Sequence, residues 1–153
     1  MKISVVVPTY QEKANIKPLI ERIDVTLAGW DYEIIVVDDS SPDGTAEVAE
    51  SLANRYPMRV IKREGRRGLG SAIVEGFRNA KGDVIGVIDA DLQHPPELLT
   101  KLVAAVEDGA DIVIASRYVP GGRIENWSFL RKVVSRGAIL LARTRNARRS
   151  LLV

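Results

Sequence analysis

Cysteine is absent from the 153 residues, histidine occurs once, and phenylalanine, tryptophan and tyrosine together number eight. Without cysteine there is no disulfide framework, no thiolate metal site and no thiol nucleophile, a composition compatible with a reducing compartment. Long hydrophobic runs are missing too. The apolar run 3–7 is too short for a secretory signal and ends in proline. Nothing approaches the ~20 apolar residues of a membrane span, and the closest stretch, 138–142, has arginine on both sides. The chain is therefore expected not to cross a bilayer on its own. The strong biases of collagen-like, disordered and mucin-like chains are also lacking. What is present, 46% hydrophobic and 27% charged residues, suits one globular domain long enough to bury a sizeable core.

The net charge of +2 conceals an asymmetry. From Arg131 onward there are seven basic residues and no acid, which leaves fifteen basic against twenty acidic residues in 1–130. An acidic body thus carries a basic end. Such an end suits a phosphate-bearing or anionic-surface partner, or else it is a solvated helix face.

Five β-rich runs recur at 3–7, 33–37, 58–62, 84–88 and 111–115. Their cores (SVVV, IIVV, VIGVI, DIVIA) are near-continuous and β-branched rather than alternating, as in parallel strands buried on both faces. Helical patterns fill the intervals at about 15–28, 45–55, 70–80 and 96–107. Asn15 is placed to cap the first, with Pro18 tolerated in its first turn. Pro95-Pro96 is a good opening for the fourth, and a further helix is expected from about Asn126 or Ser128. This order predicts an α/β fold with an open, doubly wound, mostly parallel Rossmann-like sheet and helices on both faces.

In such sheets ligands bind beyond the carboxyl ends of the strands. The loops there read PTYQE (8–12), DDSSPD (38–43), 63–69, DADLQH (89–94) and SRY (116–118). Asp89 and Asp91, at spacing i, i+2 on extended backbone, point to one side. Two carboxylates so close repel unless a cation sits between them. A hard divalent ion, Mg²⁺ or Mn²⁺, fits such oxygen ligands and keeps positions open for phosphates, and Gln93 lies one alternation further. The competing reading is that both aspartates cap the next helix or face water. Of Asp38 and Asp39, one can face the cleft and accept hydrogen bonds from a ribose or base while the other braces the loop. Turn chemistry alone also explains SSPDG.

Other motifs lead away from common nucleotide folds. The stretch RRGLG (66–70) does not match a dinucleotide fingerprint, which needs a small residue where Ile73 stands, and there is no P-loop. His94, followed by Pro95, reads as a loop residue rather than a ligand. Trp127 and Phe129 read as packing residues before a sugar platform. Arg117 is either a salt-bridge partner for the aspartates or a phosphate clamp. Paired aspartates at a strand end also mark phospho-accepting receiver domains, but there they follow the first strand, with a lysine after the last.

Four segments, SVVVPTYQE (4–12), VVDDSSPDG (36–44), DADLQHPP (89–96) and SRY (116–118), together resemble the family 2 glycosyltransferases of GT-A fold. Within them, the sequence resembles the dolichyl (polyprenyl) phosphate mannosyltransferases, in order and register over 1–141. The resemblance implies that Pro8, Tyr10, Glu12, Val37 and Asp39 line the nucleotide site. It implies that Asp89, Asp91 and Gln93 hold Mg²⁺ or Mn²⁺ against the donor diphosphate. Arg117, Arg131 and Ser135 would face the acceptor phosphate, with Asp91 and Arg117 as the catalytic pair. The implied reaction is transfer of mannose, with inversion, from GDP-mannose to dolichyl phosphate.

The implied setting is peripheral, at the cytosolic face of a membrane, with no nucleic-acid partner and room for a membrane-anchoring one. Basic clusters are attracted to anionic lipid at about 1 kcal/mol per charge, which gives the basic end a use. After residue 141 the text ARTRNARRSLLV departs from the family pattern. The expected organisation is therefore a donor-binding domain at 1–141 and a basic divergent tail at 142–153, with the acceptor half cut short. UDP-glucose as donor, and a nucleotide-sugar-binding module without turnover, remain the alternatives.

Overall fold

The computed structural model describes residues 1–65 and 67–116. The chain divides into two compact units, Met1–Ala110 and Asp111–Val153. In the first, β1 (Lys2–Thr9), α1 (Lys13–Thr26), β2 (Asp31–Asp38), α2 (Thr45–Leu52), β3 (Met58–Lys62), α3 (Leu69–Asn79), β4 (Val84–Val87) and α4 (Leu99–Glu107) follow one another, with a 3-10 turn at Pro96–Leu98 before α4. All strand pairs are parallel and the order is β3-β2-β1-β4. Chain direction across the sheet reverses between β1 and β4, where an α/β sheet opens its crevice.

The apolar runs at the centre of the sheet are buried on both faces, as expected of them. Ile3, Val5, Val7, Ile34 and Val36 face a cluster with Ile16, Leu19, Ile20 and Ile23 of α1, Ala49 of α2 and Val103 of α4. The alternate residues Val6, Ile35 and Val37 face Ala72 of α3. Each fully buried aliphatic side chain contributes about 1.5–3 kcal/mol. The alternation explains why these strands have no polar face. Gly76 of α3 lies directly against Val6, so that a Cβ there would overlap the valine methyls. A residue without a side chain is what lets this helix close on the sheet.

Three local expectations are corrected. Residues 111–115 form no strand, and Ile112 and Ile114 are 81% and 65% exposed. A β-rich run becomes a strand only where neighbouring backbone completes its ladder, and among the described residues none pairs with it. The first helix begins at Lys13, with Glu12 rather than Asn15 as its N-cap. The Glu12 carbonyl accepts from Asn15 N and Ile16 N, and Asn15 Nδ2 donates to Glu12 Oε2 at 2.7 Å. Pro18 consequently falls in the second turn. The helix expected near Asn126 lies outside the described residues, as do Trp127 and Phe129. Among the described residues no helix is long and apolar enough to cross a membrane.

Candidate functional site

At the carboxyl edge of the sheet, a cavity of about 270 Å³ is lined by Pro8, Thr9, Tyr10, Glu12, Asp39, Leu69, Ala72, Asp89, Ala90 and Asp91. The ends of β1, β2 and β4 supply the polar part, and the start of α3 supplies the apolar floor. Four of the ten are carboxylates and none is basic. Such a lining favours a cation and N–H or O–H donors, and on its own repels a phosphate.

The two neighbouring aspartates after β2 divide their work. Asp38 is fully buried and accepts from Thr9 Oγ1 (3.0 Å), Ser41 N (2.8 Å) and Ser41 Oγ (2.6 Å), tying the end of β1 to the β2 loop. Asp39 is the one that lines the cavity. Its Oδ2 accepts from Gly68 N at 2.7 Å, and its Oδ1 lies 3.0 Å from Arg63 Nη1 in an ion pair without hydrogen-bond alignment. Gly68 has φ 130° and ψ 126°, a conformation essentially confined to glycine. That backbone geometry accompanies the N–H contact to Asp39.

Asp43 anchors the loop at its far end. Its Oδ1 accepts from Thr45 Oγ1 (2.6 Å) and Thr45 N (3.0 Å), and its Oδ2 from Lys13 N (3.2 Å). The Thr45 hydroxyl, followed by these backbone amides, holds the Asp43 carboxyl below the usual carboxylate range. Glu12 N in turn donates to Thr45 Oγ1 at 2.9 Å, which joins the start of α1 to the start of α2 beside the cavity.

Among the described residues, three other than glycine have positive φ: Gln11 (59°), Ser40 (53°) and Leu92 (59°). Each immediately follows a lining residue, namely Tyr10, Asp39 and Asp91. Left-handed backbone costs about 1–2 kcal/mol for such side chains and persists where surrounding contacts over-determine it. Gln11 N donates to Ser41 Oγ at 2.9 Å, and Ser40 Oγ donates to the Arg63 carbonyl at 2.9 Å. After β4 the chain turns so that Gln93 N donates to Asp91 Oδ1 at 2.9 Å.

Of the residues named from sequence, Pro8, Tyr10, Glu12, Asp39, Asp89 and Asp91 line this one cavity. Val37 is not among them, because its side chain is wholly buried against α3. Gln93 is exposed and absent from the lining, and its backbone rather than its side-chain oxygen meets Asp91. Arg117, Arg131 and Ser135 lie outside the described residues. His94 sits in the loop before the 3-10 turn and does not line the cavity.

Among the described residues no three His, Cys, Asp or Glu side chains converge as a metal cage. A Mg²⁺-type site does not need one, since one or two carboxylates plus substrate phosphates suffice, and Asp89 and Asp91 meet that requirement. Arg63 was not singled out from sequence, although it was visible there. Asp38 pairs with Lys62 in the parallel register, so the next residues along, Asp39 and Arg63, are neighbours.

The family model for glycosyl transferase family 2 matches residues 4–151. A dolichol-phosphate mannosyltransferase of Pyrococcus furiosus is 54% identical over 143 residues, covering 94% of this chain and 41% of the relative. That of Saccharomyces cerevisiae is 43% identical over 145 residues, covering 92% and 54%. The chain therefore spans about half the length of these relatives.

Among solved structures, a mannosyltransferase of Pyrobaculum calidifontis in complex with GDP-Man and Mn²⁺ superposes with a TM-score of 0.61 at 28% identity. It covers 70% of this chain and 32% of the other. Glucosyl-3-phosphoglycerate synthase of Mycobacterium tuberculosis, in complex with Mn²⁺, UDP and glucosyl-3-phosphoglycerate, gives 0.58 at 31% identity, covering 69% and 39%. With the family model spanning nearly the whole chain and the parallel sheet shared with these enzymes, this chain belongs to glycosyl transferase family 2.

Proposed function

We propose that this chain carries the donor site of an enzyme that transfers mannose from GDP-mannose to dolichyl (polyprenyl) phosphate, with inversion at the sugar carbon. The observation that carries the reading is the single cavity joining Tyr10, Glu12, Asp39, Asp89 and Asp91 at the sheet's switch point. The names of the relatives support the sugar and the acceptor, and the GDP-Man complex of the structural neighbour supports the donor.

The lining accounts for the order of events at the donor. Its carboxylates repel a bare diphosphate, so donor binding requires a divalent cation, Mg²⁺ or Mn²⁺, held by Asp89 and Asp91. When bound, that ion supplies charge neutralisation for the departing GDP. Asp39 accepts a hydrogen bond from the base, Tyr10 and Pro8 wall the nucleoside, and Glu12 accepts from sugar hydroxyls. A phosphate oxygen of the lipid forms the new bond to the sugar carbon as the bond to GDP breaks. That oxygen is already ionised near pH 7, so no general base is required, in keeping with a lining that has no histidine. Arg117, Arg131 and Ser135 are assigned to the acceptor phosphate, where cationic side chains screen repulsion between the two anions. The donor-binding domain is taken to span 1–141, and the basic tail 142–153 to meet an anionic membrane surface peripherally.

Calorimetric titration of GDP-mannose and UDP-glucose, each with and without Mn²⁺, tests the reading. Binding of GDP-mannose that requires Mn²⁺ is expected. Binding of UDP-glucose instead would reassign the donor, and binding of neither would overturn the donor site. Retained donor binding without transfer to polyprenyl phosphate would leave a nucleotide-sugar-binding module.

A further inference from the structure

Arg63 sits where the donor site meets a second, larger cavity of about 560 Å³. That cavity is lined by Arg63, Arg67, Ser71 and Arg78, among others. The Arg63 side chain is 5% exposed and that of Asp39 8%. A buried guanidinium beside a buried carboxylate is tolerable only if both are paired and oriented. Here they are: Arg63 Nη2 donates to Ser71 Oγ at 2.6 Å, Nη1 lies 3.4 Å from the Gly68 carbonyl, and Ser71 Oγ donates to that same carbonyl at 2.9 Å. Gly68 N closes the set on Asp39 Oδ2.

Resting on the donor-site reading above, we infer that Arg63 is the positioning residue for Asp39, and through it for recognition of the nucleoside base. Asp39 Oδ1 is sealed from solvent against the arginine and accepts no hydrogen bond. The carboxylate is thereby locked in one rotation, with Oδ2 the oxygen left to serve the cavity. One lone pair of Oδ2 takes the Gly68 N–H, and the other is free for a base N–H. The guanidinium does this because its planar fork reaches Asp39, Ser71 and Gly68 at once, which an ammonium group cannot do. Arg67, which lines the second cavity with Arg63, has its guanidinium 5.0 Å from the centre of the Tyr10 ring. What Arg63 supports is therefore binding of the nucleoside part of a nucleotide, whose base donates an N–H to Asp39. The base-free diphosphate is left to Asp89 and Asp91.

The test compares GDP with inorganic pyrophosphate, both with Mn²⁺, by calorimetry on the full chain. Arg63→Met is expected to weaken GDP by about tenfold to a hundredfold, the usual range when a buried partner is left unsatisfied. It should change pyrophosphate by less than about twofold, and Arg63→Lys should recover part of the loss. In an Asp39→Asn background, Arg63→Met should change GDP affinity by less than about twofold, because a residue acting through another shows no independent effect.

Should Arg63→Met not fold, Ser71→Ala serves instead. It removes one of the arginine's anchors at an exposed helix position and should weaken GDP by about threefold to tenfold, again sparing pyrophosphate. Equal loss of GDP and pyrophosphate would mean a merely structural arginine and overturns the assignment, as does unchanged GDP affinity. Failure of the unaltered chain to bind GDP while it binds pyrophosphate would overturn the nucleotide reading itself, which separates the two failures.

Discussion

Ser4 Oγ donates to Glu33 Oε1 at 2.7 Å, joining β1 to β2 toward the amino end of the sheet, away from the cavity. Glu33 also accepts from Lys81 N and from Arg59 Nη1, both at 2.7 Å, and Arg59 reaches on to the Asn79 carbonyl. Burial alone would raise this carboxyl, but the bonds from Ser4, Lys81 and Arg59, with the arginine's charge, hold it below the ordinary glutamate range. Near pH 4 the unfolded chain therefore binds more protons at Glu33 than the folded chain does. The stability Glu33 contributes is present above the usual glutamate range, begins to fall there, and is lost as pH drops on through the lowered folded value. Urea unfolding at pH 7 and pH 4 should show this loss, and Glu33→Gln should flatten it while costing about 1–3 kcal/mol at pH 7.

Two glycines of α3 should respond oppositely to the same substitution. Gly76→Ala gains helix propensity of about 1 kcal/mol but drives a methyl into Val6. Overpacking of this kind costs about 1–3 kcal/mol, so net destabilisation is expected. Gly70 has nothing within 4 Å of where its Cβ would stand, and Gly70→Ala should stabilise by about 0.4–1 kcal/mol. Thermal unfolding of the pair reads the difference in sign.

Asp91→Asn should abolish Mn²⁺-dependent binding of GDP-mannose, with a loss of at least about tenfold. Gln93→Ala should change it by less than about twofold, because the contact Gln93 makes with Asp91 comes from its backbone N–H. A large effect of Gln93→Ala would restore its side-chain oxygen to the metal site.

Arg22 makes a two-pronged contact with Glu97, at 3.0 and 2.7 Å, between α1 and the 3-10 turn. Hydrogen bonding between them raises the guanidinium and lowers the carboxyl. Both side chains remain 39% and 58% exposed, so water and salt screen the pair. Glu97→Gln should cost less than about 1 kcal/mol in chemical denaturation, and less still in high salt.

The central strands were legible because burial on both faces leaves an unmixed apolar signature, and β1, β2 and β3 stand within two residues of where their runs suggest. The run at 111–115 carries the same signature without the structure, since a strand also needs a partner that no local pattern encodes. The loops of the site were legible from their carboxylates and their place after strands. The choice of Asp39 over Asp38 came from the family resemblance and not from the residues themselves, because it depends on which carboxylate meets Thr9 and Ser41 and which meets Arg63. Nor did any glycine or asparagine announce the left-handed turns at Gln11, Ser40 and Leu92. Contacts with other loops accompany those at Gln11 and Ser40, and at Leu92 the side chain packs on the core beside the local Gln93–Asp91 bond.

Those three turns leave the direction of the cavity walls set by main-chain geometry, downstream of the side chains that do the contacting. Tyr10, 41% exposed, can therefore be exchanged for another residue without rebuilding the loop that presents it, whereas Asp39 and Asp91 are themselves tied into their loops by Gly68 N, Arg63 and Gln93 N. The cavity is thus adjustable at one bracket and fixed at two: a new side chain at position 10 re-faces one wall, whereas replacing Asp39 or Asp91 means dismantling the contacts behind it.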